Sequence, residues 1–340
     1  MRLRNRLLAV AAALVAVAGS GVSQNPAPSS STPPAPQQGT PQAQTPANPP
    51  GQEPTTNDKG LFTFRKKVEE VLLYATVVDD KGRLITDLQQ NAFQVFENGQ
   101  PQQIVSFHNR DIPVALGIVI DNSGSMRDKR QKVNTASLDL VRASNPQDQV
   151  FIVNFNDEYY LDQDFTSNIT QLQEGLEQIE SRGGTALYDA IIASADHLKR
   201  HGKLDKKVIL VVTDGEDNSS RDSLEQTVRR VSEEGGPTIY AIGILGEDHA
   251  KRAKRALSAL SERTGGIAFF PKDASEVDQI ARAVARDIRN QYTIGFKKSP
   301  NAPPGFRTIK VTARASGHKN LQVRTQSGYY AGVEQSTGGR

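Results

Sequence analysis

From Val71 to Phe107 the apolar residues come in short runs, Val71 to Val78, Phe93 to Phe96 and Ile104 to Phe107, separated by Asp80-Lys81-Gly82 and Asn98-Gly99. Asn-Gly between two apolar runs predicts a tight hairpin, because both central residues of that turn favour positive φ. At Val114 the pattern changes. Val114 to Ile120, Gln149 to Phe155, Lys207 to Thr213, Thr238 to Leu245 and Ile267 to Phe270 are continuous apolar runs, as strands covered on both faces require. Between these runs apolar residues keep helical spacing: Val133, Ala136, Leu140 and Val141; Leu172, Leu176 and Ile179; Leu224, Val228 and Val231; Ala253, Ala256, Leu257 and Leu260; Val277, Ile280, Val284 and Ile288. Such alternation predicts an α/β fold, a doubly wound, mostly parallel sheet with helices on both faces. The polar stretch Glu158 to Phe165 fits an antiparallel edge strand. After Asn290 an alternation of two returns at Tyr292, Ile294 and Phe296, then Ile309, Val311 and Ala313, then Leu321 and Val323. Neither flanking β segment buries enough apolar surface alone. The two are expected to pair into one β-sandwich, with the α/β domain inserted between them.

The first residues carry no such pattern. Arg2, Arg4 and Arg6 precede the uncharged run Leu7 to Ala18 and then small residues, the order of a secretory signal, and that run is shorter than the roughly 20 residues that span a bilayer. Gln24 to Asp58 is built of Pro, Gln, Ala, Ser and Thr and lacks the apolar content to fold. The expected organisation is a signal peptide at 1–23, a Pro-rich linker at 24–60, a β segment at 61–110, the α/β domain at 111–290, a second β segment at 291–332 and a tail at 333–340. The mature chain is expected outside the cytoplasm, in the periplasm or beyond, with no transmembrane segment. Cysteine is absent, which removes disulfides and thiolate chemistry. Among the 340 residues, 41 Lys and Arg face 38 Asp and Glu, interleaved, so no broad positive field exists for nucleic acid.

Ligands of open α/β sheets bind beyond the carboxyl ends of the strands. The first of those ends carries Asp121-Asn122-Ser123-Gly124-Ser125, the loop before the third helix carries Gly183-Gly184-Thr185, and the central strand ends in Thr213-Asp214-Gly215. Two carboxylates and three hydroxyls converging on one point suit a small hard cation, Mg²⁺ or Mn²⁺. With hydroxyls bound directly and aspartates acting through water, the ion keeps its appetite for an anion, and a vacant position then favours a partner's carboxylate.

Asp121-x-Ser123-x-Ser125, Thr185 within Gly183 to Asp189, and Asp214 after the central strand resemble the metal-ion-dependent adhesion site of von Willebrand factor A domains, as in integrin inserted domains. The resemblance covers about residues 112 to 290 and implies Ser123, Ser125 and Thr185 as direct ligands, with Asp121 and Asp214 mainly acting through water. The flanks Val77 to Gly82, Phe93 to Gly99 and Gly328 to Tyr330 resemble exported bacterial proteins that carry this domain between β segments. It implies an exported, non-enzymatic module that captures an acidic group of a protein partner.

Other readings are weaker. Asp214, Glu216, Asn218 and Glu225 match positions of a calcium loop, but Ser219 stands where that loop needs Gly. Asp189 is expected to complement a helix N-terminus. The histidines at 108, 197, 201, 249 and 318 are expected to be surface groups, and the run Lys251, Arg252, Lys254 and Arg255 a solvated face. Tyr159, Tyr160, Tyr188 and Tyr240 are candidates for an aromatic rim. A metal-assisted hydrolase at the same ion, with Glu216 or Asp217 as base, and an envelope scaffold are the alternatives. Oligomeric state and partner identity are not readable from the residues.

Overall fold

The computed structural model describes residues 54–56, 62–64, 70–177, 181–245, 250–298 and 303–332. The expected signal peptide, most of the linker and the tail lie outside the described residues, as do Ile179 and His249. In the first of two units, β1 (Pro54–Thr56) pairs antiparallel with β2 (Phe62–Phe64). β1 thus lies within the stretch read as linker.

The second unit holds three sheets. Its central sheet has six strands in the order β12-β11-β10-β7-β8-β9. β7 (Val114–Asp121), β8 (Gln149–Phe155), β10 (Lys206–Thr213), β11 (Thr238–Gly243) and β12 (Ala268–Phe269) run parallel, and β9 (Tyr159–Thr166) closes the edge antiparallel to β8. Every residue of β7 and β11 is buried, because helices cover both faces. On one side α1 (Arg130–Arg142), α2 (Ile169–Glu177) and α6 (Val277–Arg289) pack Val133, Leu140, Leu172, Val284 and Ile288 against Leu116, Ile118 and Leu210. On the other, α3 (Leu187–His201), α4 (Leu224–Val231) and α5 (Ala250–Thr264) pack Ile191, Leu198, Val231 and Leu257 against Val119, Phe151 and Val211. Gly117 is required where the ring of Phe151 crosses β7: a Cβ there would lie 2.8 Å from Phe151 Cε1. The architecture is the α/β fold expected from the alternation of runs.

The flanking segments pair strand by strand. β3 (Glu70–Val78), β6 (Ile104–His108), β13 (Tyr292–Lys297) and β15 (Gln322–Arg324) form one antiparallel sheet in the order β15-β3-β13-β6. β4 (Phe93–Glu97), β5 (Gln100–Gln102), β14 (Gly305–Ala313) and β16 (Gly328–Ala331) form the other, in the order β16-β14-β4-β5. Leu73, Val77, Ile294 and Phe296 of the first meet Phe93, Val95, Ile309, Val311 and Tyr329 of the second in a shared core. The Asn98-Gly99 turn has φ of 49° and 76°, but it leads into polar β5 and not directly into Ile104 to Phe107. A two-residue turn leaves the chain no choice but to pair at Gln100, and the apolar run then crosses to the other sheet as β6. Backbone hydrogen bonds from Ser327 to Arg263, from Tyr330 to Ser232 and from Glu234 to Tyr330 fasten β16 and the residues before it to the ends of α4 and α5.

A polar network lies where α6 hands the chain to β13. Asp287 accepts from Tyr240 Oη at 2.5 Å and from Arg324 Nη2 at 2.6 and 2.7 Å, and Lys206 Nζ donates to the carbonyl of Ile288. Tyr240 is fully buried here, so it belongs to the core and not to an aromatic rim.

Candidate functional site

Asp121, the last residue of β7, is wholly buried. Its Oδ1 accepts from the Ser123 amide at 2.8 Å and its Oδ2 from Thr213 Oγ1 at 2.5 Å, so both oxygens are aimed by neighbouring strand ends. Burial pushes its carboxyl above the ordinary value, while the bonds from Thr213 and Ser123 pull it back. After Asp121 the chain turns sharply. The Asn122 amide donates to Phe155 O, Asn122 Oδ1 accepts from Ser181 Oγ at 2.9 Å, and Arg182 N donates to Asn122 O at 3.0 Å. These bonds tie the first loop to the second. Met126, fully buried, plugs the 3-10 turn Gly124–Met126 into the core and fixes where Ser123 and Ser125 stand.

Ser123 Oγ lies 3.2 Å from Ser125 Oγ, and Ser125 Oγ donates to Asp214 Oδ1 at 2.7 Å. Asp214 follows β10, and its side chain is 1 % exposed. Thr185 is buried, its amide held by Asn218 Oδ1 at 2.9 Å and its carbonyl by the amides of Asn218 and Ser219. A Cβ at Gly215 would lie 3.3 Å from Thr185 Oγ1 and 4.0 Å from Asp121 Oδ2, so these two side chains flank the same glycine beside Asp214. Gly184 is needed for the close approach of the second loop, because a Cβ there would stand 2.7 Å from both Asn218 Oδ1 and Asp157 Oδ1. All five side chains named from the sequence thus border one small volume at the carboxyl end of the sheet.

Several contributors were not anticipated. Lys129 Nζ donates to Asp214 Oδ2 and, at 3.1 Å, to Ser125 O. Arg130, 8 % exposed, donates to Asp121 O and to Asn154 Oδ1, and burial pushes its guanidinium down to about 10. Asn218 organises the Thr185 loop. The signals were present, since Lys129 stands four residues after Ser125 and Asn218 four after Asp214, but their partners lie far away in sequence.

The remaining polar residues near the site have other work. Asp217 Oδ2 accepts from the Tyr188 amide at 3.0 Å and from Ser220 Oγ at 2.6 Å, which caps the start of α3. Glu216 pairs with the exposed Arg252 at 3.1 Å. Asp189 accepts from the amides of Arg221 and Asp222, so it braces the loop after β10 as well as lying in the first turn of α3. Tyr159 and Tyr160 are about half exposed. A cavity of about 640 Å³ lined by Asp157, Tyr159, Asp189, His197 and His201 adjoins the Thr185 loop but contains none of the five side chains. His197 is mostly covered, stacked on Phe165 at 5.2 Å with Nε2 2.8 Å from Asp164, so it is not the free surface group expected.

The donor chemistry fits a hard divalent cation. Among the described residues no group of three or more His, Asp or Glu is arranged to hold a metal, so an ion here depends on the hydroxyls of Ser123, Ser125 and Thr185 beside the two aspartates. A cationic group, the Lys129 ammonium, already bonds to part of this donor set.

Residues 116–216 match the von Willebrand factor type A domain family. Over 179 residues, 49% of this chain and 18% of the relative, the sequence is 25% identical to calcium-activated chloride channel regulator 1 of Mus musculus. Over 187 residues, 54% of this chain and 43% of the relative, it is 22% identical to the uncharacterized protein sll0103 of Synechocystis sp.. The chain therefore spans less than half the length of either curated relative. A solved von Willebrand factor type A protein from Catenulispora acidiphila is 14% identical, with a TM-score of 0.46, over 72% of this chain and 74% of that one. Among the described residues no helix is long and apolar enough to cross a membrane. The central α/β unit has a von Willebrand factor A-like fold, a mostly parallel sheet flanked by helices, with additional antiparallel sheets beside it.

Proposed function

We propose that the protein is an exported, non-enzymatic binding module that holds Mg²⁺ or Mn²⁺ between Asp121, Ser123, Ser125, Thr185 and Asp214 and uses it to capture an acidic group of a protein partner. Von Willebrand factor A domains are generally interaction modules, and those with an adhesion site bind divalent metals. The observation that carries the reading is the meeting of three distant loops, in which Ser125 Oγ reaches Asp214 at 2.7 Å while Thr185 and Asp121 flank Gly215. Three neutral ligands would leave the ion with much of its charge, and a carboxylate from outside answers it. Ser123, Ser125 and Thr185 would face the ion; Thr213 and the Ser123 amide orient Asp121, and Arg130 bonds the backbone beneath it.

The hydrolase alternative loses ground because its two candidate bases are engaged, Asp217 as a cap and Glu216 with Arg252. The test is direct. Immobilised protein incubated with an envelope fraction should retain the same polypeptides in Mg²⁺ or Mn²⁺ and release them in EDTA, and Asp121→Ala should retain none. Retention that survives EDTA and Asp121→Ala would refute the reading.

A further inference from the structure

The ammonium of Lys129 bonds to the very carboxylate that closes the candidate cation site. Asp214 Oδ1 accepts from Ser125 Oγ at 2.7 Å and its Oδ2 accepts from Lys129 Nζ, which also reaches Ser125 O at 3.1 Å. The Asp214 carboxylate, 1 % exposed, is therefore neutralised within the chain. Lys129 gains this place from local geometry. The 3-10 turn Gly124–Met126 and the bond from Lys129 N to Met126 O at 2.9 Å set it immediately before α1, one turn beyond Ser125.

A divalent ion that draws on Asp214, directly or through water, competes with this ammonium for the same carboxylate, because two cations a few ångströms apart repel strongly in a partly buried site. The lysine is free to leave. Its side chain is 31 % exposed and ends a flexible stem, so its head can swing into water without moving the backbone. Lys206, at the opposite end of the sheet, is 3 % exposed and has no such exit.

We propose that Lys129 is a tethered competitor of the divalent ion: it holds Asp214 and Ser125 in place in the metal-free protein, must be expelled when the ion enters, and so sets the concentration at which the site loads. This deepens the reading of the site as a cation site and rests on it. The residue acts through Asp214 and is a positioning residue.

The test titrates Mn²⁺ alone into the full chain, followed by electron paramagnetic resonance of the free ion, for wild type, Lys129→Met and Lys129→Arg. Loss of one charge-assisted contact that opposes loading should tighten Mn²⁺ binding about tenfold in Lys129→Met. Lys129→Arg, which keeps the charge, should bind as weakly as wild type. Thermal unfolding supplies a second readout: without metal Lys129→Met should melt below wild type, and saturating Mn²⁺ should close the gap, whereas a merely structural lysine would leave the same gap in both states. If Lys129→Met fails to fold, Lys129→Gln takes its place in both measurements. Binding by wild type and Lys129→Met with equal affinity overturns the competitor and leaves the cation site standing. Absence of Mn²⁺ binding in every variant overturns the cation site and the competitor together. Binding by Lys129→Met but not by wild type supports the competitor in its strongest form.

Discussion

The two ends of the central sheet each pair a lysine or arginine with an aspartate, and they do so in opposite ways. At the amino ends of the strands Asp287 is saturated by Tyr240 and Arg324, and Lys206 is capped by Ile288 O, all beneath the sandwich. At the carboxyl ends, among the described residues, Asp214 bonds to Ser125 and to a lysine whose side chain is 31 % exposed. Buried polar groups that are fully paired fix structure, because removing one partner strands the others in a poor solvent. A charge that shares its pocket with water can exchange its partner. The amino end therefore fastens the α/β domain to the sandwich, whereas at the carboxyl end the aspartate is held by a partly exposed lysine.

The sharpest way to break this contrast is Asp287→Ala. It leaves Tyr240 Oη and Arg324 without their acceptor and should cost about 3 kcal/mol of stability, read as a lower urea midpoint at unchanged slope. A loss near that of a surface substitution would mean that the lower network is as loose as the upper one. Next comes the ion. Mn²⁺ at a hundredfold excess over its dissociation constant should stabilise the chain by about 2.7 kcal/mol, and this gain should vanish in Thr185→Ala yet persist in an Asp287 variant that still folds.

A smaller effect should follow pH. Burial lowers Lys206 from the ordinary 10.5 to about 8, so between those values the unfolded chain binds more protons than the folded one. Its contribution to stability therefore rises as pH climbs from about 8 towards 10.5, and the melting temperature of wild type relative to Lys206→Met should rise over that window. A flat difference would show that burial does not lower Lys206, which would then stay charged across this window in the fold as it does in the unfolded chain. The smallest effect belongs to Arg252→Ala, whose partner Glu216 lies on the exposed rim: stability should move by less than about 0.5 kcal/mol.

Much of the architecture was legible along the chain. The uninterrupted runs of β7, β8, β10 and β11 were recognisable because burial on both faces leaves no polar position to break them. Tyr240 could not be assigned from the sequence because its ring alone does not tell a rim from a core; the acceptor for its hydroxyl, Asp287, comes from α6. The polar partner strand β5 was missed because Gln100 to Gln102 carries no apolar signal and is held only by its ladder to β4. Within the candidate site, the five oxygen-bearing residues could be named from motif and spacing, since each follows a strand or opens a helix at the end where ligands gather. Lys129 could not, because its partner Asp214 stands 85 residues away.

By itself the sequence determined which segments could be strand or helix, which faces were apolar, and which side chains could offer oxygen to a cation. Those are local properties, set by periodicity and by side-chain chemistry. The tertiary structure alone decided which charges met. Coulomb interaction and desolvation depend on distances across the fold, and they made Asp287 a buried fastening and left Asp214 to a lysine with a route back to water.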